Sequence, residues 1–113
     1  MSAPVFYHGT RAGFRGRGGL LLPAATTGAT PRAGHRPGGT DYVHLTTDAD
    51  LAAWYAYNDR THRGRPRVLT VAPLGPIEHD ASTYDDETED QFRCTDGARV
   101  LAVRLLPPPP TVV

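Results

Sequence analysis

The chain has 113 residues, no net charge at pH 7 and an apolar content of 39 %. A chain of this length forms one domain with a modest core, and its 12 glycines and 11 prolines indicate many turns and long loops. Zero net charge argues against a broad attraction to nucleic acid or to anionic membranes. No segment approaches the roughly 18 apolar residues of a membrane-spanning helix, and the amino end shows no secretory signal pattern, so we expect a cytoplasmic protein.

The charges are unevenly distributed along the chain. Residues 1–47 carry five arginines and one aspartate, whereas residues 78–96 carry eight acidic residues and one arginine. The first segment favours an anionic ligand and the second a cationic or hydroxyl-bearing one. Every basic residue is an arginine, the residue best suited to bidentate contacts with phosphate.

The first third of the chain predicts a strand followed by a long loop. The letters PVFYH alternate after Pro4 and predict a strand of about five residues. The segment that follows is rich in Gly, Pro, Thr and Arg, with one short strand predicted at the leucine run 20–22. Loops beyond roughly 12–15 residues in a compact domain are often functional. The loop over residues 9–40 is therefore the first place to expect a ligand.

The middle of the chain predicts a second strand and the main helix. The letters YVHLT (42–46) predict the strand. Thr47 and Asp50 have a spacing like that of a capping box, and apolar residues recur after them at helical intervals. We therefore expect a helix over about residues 48–58.

The last third predicts two more strands. The letters VLTVAPLGP predict a strand that closes in a proline-glycine turn at 73–76, and the acidic stretch 78–91 predicts a loop. Residues 98–106 predict the last strand, and the prolines after it cannot continue a sheet ladder. One helix and four or five strands predict an α+β domain with antiparallel strands over residues 1–106, followed by a proline-rich tail over 107–113.

The chain shows none of the common metal or phosphate motifs. The histidines lack the close spacing of a zinc site, and the single cysteine, Cys94, is interpreted as structural. A P-loop, a dinucleotide fingerprint and a nucleophile elbow are all missing. Three dispersed residues remain as candidates for chemistry: His8 at the end of a strand, His44 inside another, and Asp80 after a strand and turn.

Several motifs together resemble one known family. YHGT, a glycine-rich loop, YVHLTTDADLAAW, RGRPRVLTVAPLGPIEHD and FRCTDGARVLAV occur in the order and near the spacing of the rifamycin (rifampin) ADP-ribosyltransferases, small bacterial enzymes that inactivate the antibiotic. The resemblance covers roughly residues 6–103. It implies a compact ADP-ribosyltransferase core, in which two small antiparallel β-sheets and one main helix surround a cleft for NAD, the co-substrate.

The resemblance also implies roles for single residues of the NAD site. His8 is similar to the first-strand histidine that binds ribose hydroxyls, and Gly9, followed by Thr10, to the residue whose backbone holds the nicotinamide amide. His44 stands where the family usually has a tyrosine that stacks on nicotinamide, and we expect its ring to act in the neutral form. Two further residues resemble the helix that backs the pocket, namely Trp54 and Tyr55.

Asp80 resembles the acidic residue of the family and completes the predicted catalytic set with His8 and His44. Cleavage of the nicotinamide glycosidic bond leaves a ribosyl oxocarbenium ion, which a preorganised carboxylate stabilises. The same carboxylate can orient the incoming hydroxyl group. Three arginines near His8 are candidates for the pyrophosphate contact, and the sequence does not choose among them: Arg11, Arg15 and Arg17.

Three hypotheses for the function stay open at this point. The first is ADP-ribosyl transfer from NAD to a hydroxyl acceptor; a small molecule such as a rifamycin is favoured, with a protein side chain or a nucleic-acid end as alternatives. The second is the related RNA 2′-phosphotransferase chemistry, which zero net charge disfavours. The third is a module that binds NAD or ADP-ribose without turnover; His44 and the closing PPPPTVV, where the family has a helical tail, are its evidence.

Overall fold

The computed structural model of the protein describes residues 4–11, 19–23, 42–59, 63–79 and 91–108. These ranges contain one helix and seven antiparallel strands, so the predicted α+β class is confirmed. In chain order the elements are β1 (Phe6–Thr10), β2 (Leu20–Leu21), β3 (Val43–Thr46), α1 (Ala49–Tyr57), β4 (Arg67–Pro73), β5 (Glu78–His79), β6 (Gln91–Cys94) and β7 (Ala98–Leu105).

The seven strands form one sheet in the order β2-β7-β4-β1-β3-β6-β5. β1 is paired with β4 along its whole length, from Phe6↔Val71 to Thr10↔Arg67. Its ladder with β3 on the other side consists of the single pair Tyr7↔Thr46. The described strands are therefore connected into one sheet, where the resemblance implies two, and this one pair joins the four-strand part to the three-strand part.

The main core lies on one face of this sheet. It is built from residues that alternate along β1, β3, β4, β6 and β7, as expected for strands with one buried face. Cys94 belongs to it, and its sulfur lies 3.8 Å from the carbonyl oxygen of Gly75, which fits the structural interpretation of the thiol. The buried members of this core are Phe6, Val43, Leu45, Leu69, Val71, Cys94, Ala98 and Val100.

The helix α1 covers the opposite face of β1 and β4. Ala52 and Ala56 are fully buried there, and small side chains let the helix backbone approach the sheet closely. One close approach is at Gly9, where a β-carbon would collide with the Ala52 carbonyl. A second, smaller core with Val68 and Leu106 completes this packing.

The amino end of α1 differs from the prediction. The N-cap is Asp48, whose Oδ1 accepts from the backbone N–H groups of Asp50 at 2.9 Å and Leu51 at 3.3 Å. The predicted capping pair of Thr47 and Asp50 is wrong, because Asp48 takes the extended conformation (φ −100°, ψ 107°) that a capping residue needs. The helix itself runs within the predicted bounds.

The acidic third of the chain also differs from the prediction. Glu78–His79 and Gln91–Cys94 are strands β5 and β6, where a loop was expected from 78 to 91 and no strand at 91–94. Residues 80–90, between them, lie outside the described residues. Of the predicted proline-rich tail, Pro107 and Pro108 are exposed and outside the sheet. No helix in the described parts of the chain is long and apolar enough to span a membrane.

Replacing Gly9 with alanine should destabilise the protein, because the new methyl group would collide with the backbone of α1. Overpacking of this kind costs about 1–3 kcal/mol, measurable as a lower midpoint of urea unfolding with an unchanged slope. Ala102→Ser, at an exposed position of β7, is the control and should change the free energy of unfolding by less than about 0.5 kcal/mol. Equal stability of Gly9→Ala and the wild type would contradict the described packing.

Replacing Asp48 with alanine should lower the free energy of unfolding by about 1 kcal/mol, because two N–H groups lose their acceptor. Asp48→Asn is the matched control, since it keeps a capping oxygen and removes only the charge; its loss should be much smaller. Both variants are compared by urea unfolding. Equal losses would mean that charge, rather than capping, accounts for the contribution of Asp48.

Candidate functional site

The candidate site lies where β1 and β3 separate after their single pair. His8, on the β1 side, is half-buried, and its Nδ1 lies 2.7 Å from the backbone carbonyl oxygen of His44 on β3. A carbonyl oxygen only accepts hydrogen bonds, so Nδ1 must carry the proton and donate it. In the neutral ring, Nε2 is then the accepting nitrogen. The contact therefore sets both the tautomer and the orientation of the His8 ring.

The structure brings His8 to the backbone of His44 rather than to its side chain. Tyr7 and Thr46 face each other in the ladder, so their side chains lie on the same side of the sheet. Strand alternation puts the side chain of His44 on that side as well and the side chain of His8 on the other. The two predicted residues thus meet through a main-chain group of β3.

Gly9 and Thr10, the two other predicted NAD contacts on β1, are both buried. Gly9 lies against α1, at a point where any side chain would meet the helix backbone. Thr10 is 3 % exposed and pairs with Arg67 of β4. The packing of the helix is thus a sufficient reason for a glycine at position 9, whether or not the backbone there also holds a ligand.

The two aromatic residues predicted on the helix differ in their surroundings. The Tyr55 hydroxyl donates to Oε1 of Gln91 at 3.1 Å, and Gln91 pairs with Thr46 at the end of β3. This bond connects α1 to the three-strand part of the sheet. Trp54 is 58 % exposed, and its ring packs edge-to-face on Tyr55 with the centroids 5.4 Å apart.

The side chain of Arg11 binds the carboxyl end of α1. Its Nε donates to the Ala56 carbonyl at 3.0 Å and its Nη2 to the Tyr57 carbonyl at 2.8 Å. The last carbonyls of a helix have no partner inside the helix and carry its negative dipole end, so a guanidinium there is stabilising. Arg11 thus has a structural role at the helix end. The other two arginines proposed for the pyrophosphate, Arg15 and Arg17, lie outside the described residues.

Asp80, the third predicted catalytic residue, also lies outside the described residues. The strand before it, β5, is described and pairs with β6 through His79↔Phe92. The Phe92 ring makes edge-to-face contacts with His79 and with Phe6 of β1, each with the centroids 5.6 Å apart. The segment that ends directly before Asp80 is therefore anchored to β6.

A polar and aromatic group that the sequence pattern did not reveal lies beside His44. Tyr42 packs its ring on His44, and Arg93 of β6 lies over the ring of Tyr42. Glu78 of β5 forms an ion pair with Arg93 at 2.8 Å. Hydrogen bonding to Glu78, and next to Tyr42, raises the pKa of the Arg93 guanidinium above its ordinary value. Among the described residues, no group of three or more His, Cys, Asp or Glu is arranged to hold a metal ion.

Comparison with known proteins identifies the family of the chain. The model of the family described as rifampin ADP-ribosyl transferase matches residues 6–102, which is well over half of the chain. No curated protein matches the chain significantly. The matched range includes the β1–β3 junction and the helix packed on β1. The chain therefore belongs to the rifampin ADP-ribosyl transferase family.

Proposed function

We propose that the protein transfers ADP-ribose from NAD to a hydroxyl group of an acceptor, for which a rifamycin is favoured, and releases nicotinamide. Family membership supports the reaction class and the acceptor. The observation that carries the assignment of residues is the hydrogen bond from His8 Nδ1 to the His44 carbonyl. This bond holds an imidazole in one tautomer at the place where the ladder between β1 and β3 ends.

His8 is assigned to the ribose of NAD. Because Nδ1 donates to the protein, Nε2 is the nitrogen that can accept a hydrogen bond, and a ribose hydroxyl is a matching donor. A ring that is oriented before the ligand arrives loses less conformational entropy on binding. The Gly9 backbone is assigned to the nicotinamide amide, Thr10 beside it to the NAD site, and the His44 ring to the nicotinamide face. Trp54 and Tyr55 are assigned to the part of α1 that forms the back of the NAD pocket.

Asp80 is assigned to the chemical step. The bond between the ribose C1′ and the nicotinamide nitrogen breaks, and nicotinamide leaves as a neutral molecule with the bonding electrons. The oxocarbenium ion that remains is a cation, so a carboxylate beside it lowers the barrier. The acceptor oxygen then forms the new C–O bond and loses its proton to the carboxylate. Holding donor and acceptor in line supplies a large part of the acceleration.

The purified protein should release nicotinamide from NAD in the presence of rifampin and should yield rifampin that is heavier by one ADP-ribose unit. Nicotinamide is measured by chromatography and the product by mass spectrometry, with heat-denatured protein as the control. Release of nicotinamide without modified rifampin would contradict the proposed acceptor. Binding of NAD in calorimetry without any release would contradict the transferase and favour a binding module.

His8→Ala and Asp80→Asn should separate binding from chemistry. Loss of the hydrogen bonds of His8 should weaken NAD binding by about tenfold to a hundredfold and remove turnover with it. Asp80→Asn should keep the dissociation constant for NAD and lower kcat by about 10²–10³, the effect of removing one electrostatic stabiliser.

Calorimetry with NAD and nicotinamide release are measured on both variants, and circular dichroism establishes that each is folded. His8→Gln is the matched control for His8→Ala, because an amide can also donate to the His44 carbonyl and accept from a hydroxyl; it should recover part of the binding. Unchanged NAD binding in His8→Ala, or unchanged kcat in Asp80→Asn, would overturn the corresponding assignment.

A further inference from the structure

Tyr42 lies beside His44, two residues earlier along the same strand direction. Their ring centroids are 5.0 Å apart and the ring planes make an angle of 70°, which is an edge-to-face contact. Tyr42 lies at a bend directly before β3, so this contact joins the residue before the strand to a residue within it. Aromatic pairs of this kind are favourable beyond the apolar area that they bury. The contact therefore restrains the His44 ring.

Arg93 in turn restrains the Tyr42 ring. It is the register partner of His44 on β6, and its Cζ lies 5.1 Å from the Tyr42 ring centroid, within the range of a cation–π interaction. The Nε and Nη2 atoms of Arg93 donate to Oε2 of Glu78 at 2.9 and 2.8 Å. Glu78 on β5 and Arg93 on β6 thus form a row with Tyr42, directly before β3, and the row ends at His44.

The row of Glu78, Arg93 and Tyr42 restrains the orientation of the rings more than it adds to the free energy of unfolding. The side chains of Arg93 and Glu78 are 34 % and 68 % exposed, and exposed ion pairs add little to the free energy of unfolding. A planar guanidinium held through two nitrogens nevertheless has few orientations available, so the ring beneath it is held as well. Arg93 stays charged, because a guanidinium is protonated throughout the physiological pH range. A change in activity on altering Tyr42 would therefore not follow from a loss of global stability.

We propose that Tyr42 is a positioning residue that sets the orientation of the His44 ring toward the nicotinamide ring of NAD; this inference rests on the proposed function. An imidazole offers less stacking area than a phenol, so a wrongly oriented His44 ring would lose most of its contact. Tyr42, held by Arg93, limits the rotation of that ring before NAD binds. Preorganisation of this kind strengthens binding by lowering its entropy cost.

Tyr42→Leu, which removes the aromatic ring, should raise the KM for NAD about twofold to tenfold, the range expected for loss of one aromatic pair. The kcat should change little, because an interaction made in both the ground and transition states affects mainly KM. Tyr42→Phe keeps the ring and loses only the hydroxyl group to which Arg93 hydrogen-bonds, so its KM should lie closer to that of the wild type than to that of Tyr42→Leu. Arg93→Ala should fall between the two, whereas Arg99→Ala, at an exposed position of β7, is the matched control and should leave KM unchanged.

A double-mutant cycle tests whether Tyr42 acts through His44. In a His44→Ala background, Tyr42→Leu should cause no further change in the dissociation constant for NAD, measured by calorimetry. An undiminished effect in that background would overturn the positioning role, because Tyr42 would then act on NAD directly or through the fold. A wild type that releases nicotinamide and a Tyr42→Leu variant with the same KM would overturn it as well. A wild type that neither binds NAD nor releases nicotinamide would overturn the proposed function together with it.

Discussion

The separation of β1 from β3 after one register pair is the feature on which the arrangement of the site depends. An antiparallel ladder that stops leaves backbone groups that need other partners. At this junction the partner is a side chain: His8 donates to the His44 carbonyl. The bond replaces part of the missing ladder, and it also gives the imidazole one orientation. The same contact thus serves the sheet and the proposed binding of ribose.

Side chains hold the two parts of the sheet together where the ladder does not. On the core face, the ring of Phe92 on β6 contacts Phe6 on β1. On the helix face, Tyr55 of α1 bonds to Gln91 of β6, while the helix itself is packed on Gly9 of β1. Side-chain contacts on both faces of the sheet therefore hold the part with β1 and the part with β3 together, and α1 contacts both parts of the sheet. A ligand at this junction would meet a framework that is already positioned.

The sequence predicted the elements whose signals are local. β1, β3, α1, β4 and β7 follow from alternation, helical periodicity and proline or glycine turns. The strand β6 was missed because it is only four residues long and follows an acidic stretch, so its two apolar residues, Phe92 and Cys94, form no clear alternating pattern. Its pairing partner, β3, is also distant in the sequence. The structural role of Arg11 could not be predicted from the sequence, because the helix carbonyls that it binds are 45 and 46 positions away along the chain. His8 and His44 were candidates from their places in the predicted strands, and the resemblance implied their roles, but their meeting through a backbone carbonyl depends on how β1 and β3 separate.

The acceptor of the His8 hydrogen bond makes the orientation of His8 independent of which side chain stands at position 44, where the resemblance implies a tyrosine. The acceptor is the main-chain carbonyl, which every residue at position 44 supplies. The side chain there lies on the opposite side of the strand, where its neighbours are Tyr42 and the register partner Arg93. A different side chain at position 44 would thus change the contact with Tyr42, while the carbonyl that orients His8 would remain. The two roles assigned to this short segment of β3 can therefore vary independently.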